Sequence, residues 1–200
     1  MSLRGAVRAR SFGRHPQHTM HTRLSEIAAY VDAQRAQLLA ACEALPEDKW
    51  TARPAPDAWS VSDVFEHLHR VERGSARLVA KLAAEARAAG HPPEVEESSV
   101  LGSLAHANLT DRSNKLVSPE RVAPEGGWTR TAALAALAGS REELHAAIAA
   151  ADGLALGTVK HAHARLGEID LYQWILFIGQ HEARHAGQVT EIVRAVHPAH

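Results

Sequence analysis

The chain has 200 residues, of which 46% are hydrophobic and 22% charged, and its formal net charge is −1. That length accommodates one full core, or a domain with a tail. No apolar run approaches the roughly 18–20 residues that cross a bilayer, and there is no large excess of Lys and Arg to neutralise phosphates, so neither a membrane nor a nucleic acid is an expected partner. The lone cysteine, Cys42, can form neither an internal disulfide nor a Cys-based zinc site, which excludes a stapled secreted scaffold and points to the cytoplasm.

Aromatics are scarce at 4% and alanine is abundant, which favours helices. Residues 1–22 read as a flexible basic extension: Arg4, Arg8, Arg10 and Arg14 precede the first acid, Glu26, and Met20 is an alternative start. A domain over residues 23–196 follows, with a tail over 197–200. Apolar steps of three, four and seven from Leu24 to Leu45 predict a first helix over 22–45, closed by Pro46, with Cys42 on its buried stripe. Ser60 and Asp63 have capping-box spacing and open a second helix that Gly90 stops. Residues 91–128, broken by Pro92, Pro93, Pro119, Pro124, Gly126 and Gly127, form a long crossover with room for a short helix over 101–116. A third helix is predicted over 131–151, an extended piece over 158–166 turned by Gly167, and a fourth helix over 171–196. Four amphipathic helices with no strand–helix alternation predict an all-α four-helix bundle with one long crossover between helices 2 and 3.

Histidine is the compositional outlier, with 14 copies. In His181-Glu182-Ala183-Arg184-His185 the two imidazoles stand one helical turn apart and can reach one ion from a single rigid element. On a helical wheel His185 lies about 20° and His181 about 60° from the centre of the apolar face, so both point inward. Two stacked buried imidazoles are costly without something to share, and a metal relieves that cost. A third ligand is expected from another helix. His67 lies about 80° from the apolar centre of the second helix, whereas His69, at about 120°, faces solvent. His145 on the third helix competes with His67; His106, His161 and His163, in irregular segments, rank lower.

The same string satisfies H-E-x-x-H, the zinc-protease motif, but the adjoining sheet and downstream third ligand of that class are missing; only Glu191, His197 and His200 follow. Glu182, about 40° from the apolar centre, is a candidate general base, or else a helix glutamate paired with a neighbouring arginine. Gln188 is placed to orient His185 or a water, and Arg184 either to attract an anionic substrate or to make a salt bridge.

At these residues the chain resembles the DinB-like (DinB/YfiT) superfamily of metal-binding four-helix bundles. The likeness rests on Trp59-Ser60-Val61 followed by Glu66-His67-Leu68, on the Pro-punctuated Val117–Pro124 segment, and on Gly167–Trp174 preceding His181-Glu182-Ala183-Arg184-His185 and Gln188. It covers about residues 23–196. The resemblance implies that His67, His181 and His185 hold one divalent ion (zinc, nickel or iron), often in a homodimer, and it decides for His67 over His145. It also implies a small-molecule substrate, with three activities open. A low-molecular-weight thiol co-substrate in a thiol-dependent S-transferase is favoured. Metal-dependent hydrolysis through bound water, and a non-catalytic metal-binding stress-response role, are the alternatives.

Overall fold

The computed structural model describes residues 19–113 and 116–198. Four helices dominate: α1 Thr22–Ala40, α2 Val61–Ala88, α3 Arg130–Ala151 and α4 Leu171–Val196, with two short strands, β1 Lys160–His163 and β2 Gly167–Asp170, ahead of α4. The fold is the expected all-α bundle with a small antiparallel hairpin added. The end of α1 and the starts of α2 and α3 meet at one end of the bundle. There Arg130 donates to the Leu45 carbonyl at 2.8 Å and Ser62 to the Trp128 carbonyl at 2.9 Å. Val189 and Ile192 of α4 share a core with Leu38, Cys42, Val61 and Val64 at that same end. The pairs α2–α3 and α1–α4 pack most extensively, and each pair runs parallel. A parallel pair forces the chain to return the length of α2, about 42 Å for its 28 residues, before α3 can start. This is the reason for the long crossover.

Local signals account for the helix boundaries. Ser60 accepts from the Asp63 amide while Asp63 accepts from the Ser60 amide, the reciprocal bonds of a capping box. Asp170 and Gln173 repeat the device at the start of α4. Gly90, at φ 72°, takes the left-handed conformation that ends α2. Three details differ from the sequence expectation. The first helix stops at Ala40, where the Cys42 and Glu43 amides bond three residues back to Leu39 and Ala40 in place of the helical ladder, and the resulting turn carries Leu45 to its buried place ahead of Pro46. The expected helix over 101–116 shrinks to one 3-10 turn, Ala105–Ala107, ended by Asn108 at φ 43°. Gly167 opens a second strand, so that Lys160 pairs with Asp170 and His163 with Gly167.

The expected basic extension lies outside the described residues up to residue 18. Its last residues belong to the fold: Met20 packs on the core, and the His21 amide donates to Asp152 at 3.0 Å.

The buried apolar side chains form two clusters. One is built around Val31, Val79, Leu144 and Ile178, the other around Leu38, Leu68, Leu137 and Val189. Between them, at one level of the bundle, lies an ionic layer with one charged residue from each helix: Arg35, Glu72, Arg141 and Glu182. Ser140 joins it by donating to Glu72 at 2.5 Å.

Gly179 marks the close approach of α1 to α4. A Cβ there would stand 2.6 Å from the Tyr30 ring and 3.1 Å from Val31. Gly179→Ala is therefore expected to destabilise the bundle by about 1–3 kcal/mol through overpacking, measurable by urea denaturation. An unchanged midpoint would contradict this contact.

Candidate metal centre

His67 lies in the second turn of α2, and His181 and His185 lie one turn apart on α4; α2 packs against α4, which brings the three rings together. The Nε2 atoms of His67 and His181 are 3.2 Å apart, and those of His185 and His181 are 3.1 Å apart. One ligand atom from each ring lies within 4.8 Å of the other two. Nitrogens bound at about 2.0–2.1 Å to one tetrahedral ion stand about 3.3 Å from each other, so the observed spacing suits such a donor set.

Proton positions sharpen the argument. His67 Nδ1 is 2.8 Å from the Val122 carbonyl, which can only accept, so Nδ1 carries the hydrogen and Nε2 offers a lone pair. His185 Nδ1 likewise donates to Gln188 Oε1 at 2.7 Å, leaving its Nε2 bare. His181 Nε2 thus faces two lone pairs, and a single proton on it can be shared well with only one of them. A cation satisfies all three. The rings are also kept neutral. Burial pushes His67 below its ordinary value, against the opposing pull of its bond to Val122. Burial, then the neighbouring imidazoles, pushes His181 well below, and burial followed by the influence of His67 takes His185 down to about 3.

The sign of the resulting pH dependence follows. In the unfolded chain His185 titrates near 6.5, while in the fold it refuses a proton down to about 3. Between those values the unfolded state binds more protons, so stability is full above pH 6.5 and falls as pH decreases, by about 1.4 kcal/mol per unit for one such ring. The melting temperature of metal-depleted protein is expected to drop steadily from pH 7 to pH 5. Bound metal is expected to be released below about pH 6, because protons compete for the same lone pairs. A melting temperature that is flat or rises on acidification would contradict the buried neutral rings.

The remaining predicted residues are distributed as follows. Gln188 braces His185. Arg184 bonds the backbone carbonyls of Leu109 and Asp111, tying α4 to the crossover, and it lines the same cavity as the histidines. Glu182, the candidate general base, has Oε1 accepting from Arg35 at 2.5 Å and Oε2 from Arg141 at 2.6 Å, so both oxygens are engaged in the ionic layer. His145 pairs with Asp32 at 2.9 Å on the outer surface. His69 is half-buried rather than solvent-facing, bonding the Ala136 carbonyl of α3 at 2.9 Å.

Several neighbours have places at the site that sequence reasoning did not assign to them. Trp59 stacks on His185, at 6.2 Å between centroids and 14° between planes, and lies 5.0 Å from the His67 ring. Phe177 stacks on His181 at 5.3 Å, and His163 packs on Phe177 at 4.5 Å. Glu66, next to His67 and buried, accepts the amides of Glu125 and Gly126 at 3.1 and 2.8 Å, which fastens the crossover over the site. Together α2, the crossover, the hairpin and α4 line a half-open cavity of about 1140 Å³ onto which the three histidines open. Among the described residues no further His, Cys, Asp or Glu joins the three-histidine group, and no helix is long and apolar enough to cross a membrane.

Comparison with known proteins agrees with this architecture. The chain is 28% identical over 156 residues to the uncharacterized protein YuaE of Bacillus subtilis (strain 168), covering 78% of this chain and 90% of that protein. No solved structure matches it with significance. The family model described as the DinB superfamily matches residues 30–189, a span that holds all three histidines, the crossover and the ionic layer. The chain therefore belongs to the DinB superfamily.

Proposed function

We propose that this chain is a metal-dependent enzyme of the thiol-dependent S-transferase type, acting on a small electrophile. The observation that carries this reading is a face of three neutral imidazole nitrogens, without a fourth ligand among the described residues, opening onto a cavity of about 1140 Å³. Structural zinc sites are normally closed by four protein ligands, whereas reactive ones keep a position open. Zinc, nickel or iron held by His67, His181 and His185 would lower the pKa of a thiol or a water brought to it. The protein's own part is positional. Val122 and Gln188 fix the rings and their tautomers, Trp59 and Phe177 brace the ring faces, and the crossover and hairpin line the half-open cavity. Its volume, somewhat above the roughly 300–1,000 Å³ of small-molecule sites, accommodates a thiol and an electrophile side by side. In the transfer the sulfur–carbon bond forms, the bond to the leaving group breaks with its electron pair, and the thiol proton passes to solvent.

Hydrolysis is less well supported, since the two carboxylates adjacent in sequence to ligands are engaged: Glu182 has both oxygens bound to arginines, and Glu66 is bound to Arg70 and to crossover amides. Metal-loaded protein incubated with 1-chloro-2,4-dinitrobenzene is expected to form thioether with glutathione, bacillithiol or mycothiol, and to lose that activity with a chelator. Thiol-independent turnover of an ester would move the reading to hydrolysis. Absence of turnover with every thiol tried would favour a non-catalytic metal protein.

A further inference from the structure

Five arginines line the cavity against two acids, and their partners separate them into two groups. Arg70 is held by Glu66 and Glu125, Arg112 pairs with Glu191, and Arg184 bonds the crossover backbone. Arg121, on the crossover one residue before the Val122 that orients His67, and Arg165, on the hairpin turn, have no acidic partner among the described residues. Asp57, the remaining acid on the lining, is exposed on the loop before α2. His163 lines the same cavity as these two arginines, and its Nδ1 accepts the Arg165 and Leu166 amides, both at 3.2 Å. Its neutral ring therefore carries hydrogen on Nε2 and is a donor. The ring is wedged against Trp174 and Phe177, and Phe177 in turn stacks on His181.

We propose that Arg121, Arg165 and His163 form an anion subsite at the mouth of the cavity, which takes the carboxylate of a small organic ligand whose other end reaches the three histidines. Two cations without acidic partners on the lining of one cavity repel each other, and an anion taken up among them relieves that repulsion. A carboxylate can take charge-assisted bonds from both guanidinium groups and a further one from the ring. Both arginines also lower the proton affinity of His163, after burial, as nearby unscreened positive charges do. The two arginines come from the crossover and the hairpin, the segments that wall the cavity, so the bound anion would also tie these two walls together.

This inference deepens the proposed function, since it names the charge of the ligand for that same cavity. Its test separates the two. Binding to metal-loaded protein is measured by calorimetry with succinate, with the neutral analogue succinamide, and with mercaptosuccinate. The parent is expected to bind succinate at least about tenfold more tightly than succinamide. The double variant Arg121→Gln, Arg165→Gln is expected to lose that preference with unchanged metal content. Both side chains are exposed, so folding does not depend on them. A charge-matched control, Arg73→Gln with Arg77→Gln on the outer face of α2, is expected to keep it. No succinate preference in the parent, its persistence in the double variant, or an equal loss in the control would overturn the subsite. If mercaptosuccinate gains nothing over succinate while the arginine dependence stands, the thiol reading fails and the anion subsite survives.

Discussion

Replacing Glu182 with alanine is expected to remove about 3–5 kcal/mol of folding stability, a large part of the roughly 5–15 kcal/mol typical of a single domain. The carboxylate sits 2% exposed between Arg35 and Arg141, which are themselves 11% exposed and shared with Glu72. Two positive and two negative charges balance within the layer. Removing one carboxylate leaves two guanidinium groups with a single buried carboxylate between them, and the apolar clusters on either side offer no replacement acceptor. Arg141 retains Asp32 and Arg35 retains the Leu137 carbonyl, so the bundle loosens at this level rather than collapsing throughout. Glu182→Leu is expected to be no better, because the cost comes from unpaired charge and not from lost volume. Urea denaturation of both variants measures the effect. A loss below about 1 kcal/mol accompanied by abolished turnover would show instead that Glu182 handles protons.

The same residue shows what was legible in the sequence. The spacing of apolar residues revealed four helices and an inward-pointing fourth helix, and that stripe carried His181 and His185 with it. Arg35 also lies on a stripe, four residues after Val31 and three before Leu38, and Arg141 lies between Leu137 and Leu144. Glu72 follows Leu68 by four, and Glu182 follows Ile178 by four. A charge recurring on every buried stripe was the readable sign of an ionic layer. Glu182 was weighed only for its place in H-E-x-x-H, where its neighbours in sequence are histidines while its neighbours in space are arginines.

His67 was legible as a flanking position, but a helical wheel has no information about which helix faces which. The choice over His145 came from the family resemblance and not from the wheel, and the structure accounts for it by leaving His145 on the outside against Asp32. His163 was hidden for a different reason. It lies in a hairpin too short for a periodic signal, and only the pairing of Lys160–His163 with Gly167–Asp170 brings it beside Phe177. The ends of the crossover are similar, since nothing local in Val122 or Gly126 says that their backbone bonds His67 and Glu66.

The metal content of purified, tag-free protein and of its His67→Ala variant tests the central claim most directly. His67 supplies one of three convergent nitrogens from a helix other than the one that bears His181 and His185. Its removal leaves two ligands one turn apart on α4, too few to hold a divalent ion against washing. Elemental analysis is expected to find about one divalent ion per chain in the parent, a similar amount in a His145→Ala control, and nearly none in His67→Ala. Parent protein that cannot be loaded, or a His67→Ala variant that keeps its full complement, would contradict the shared three-histidine centre.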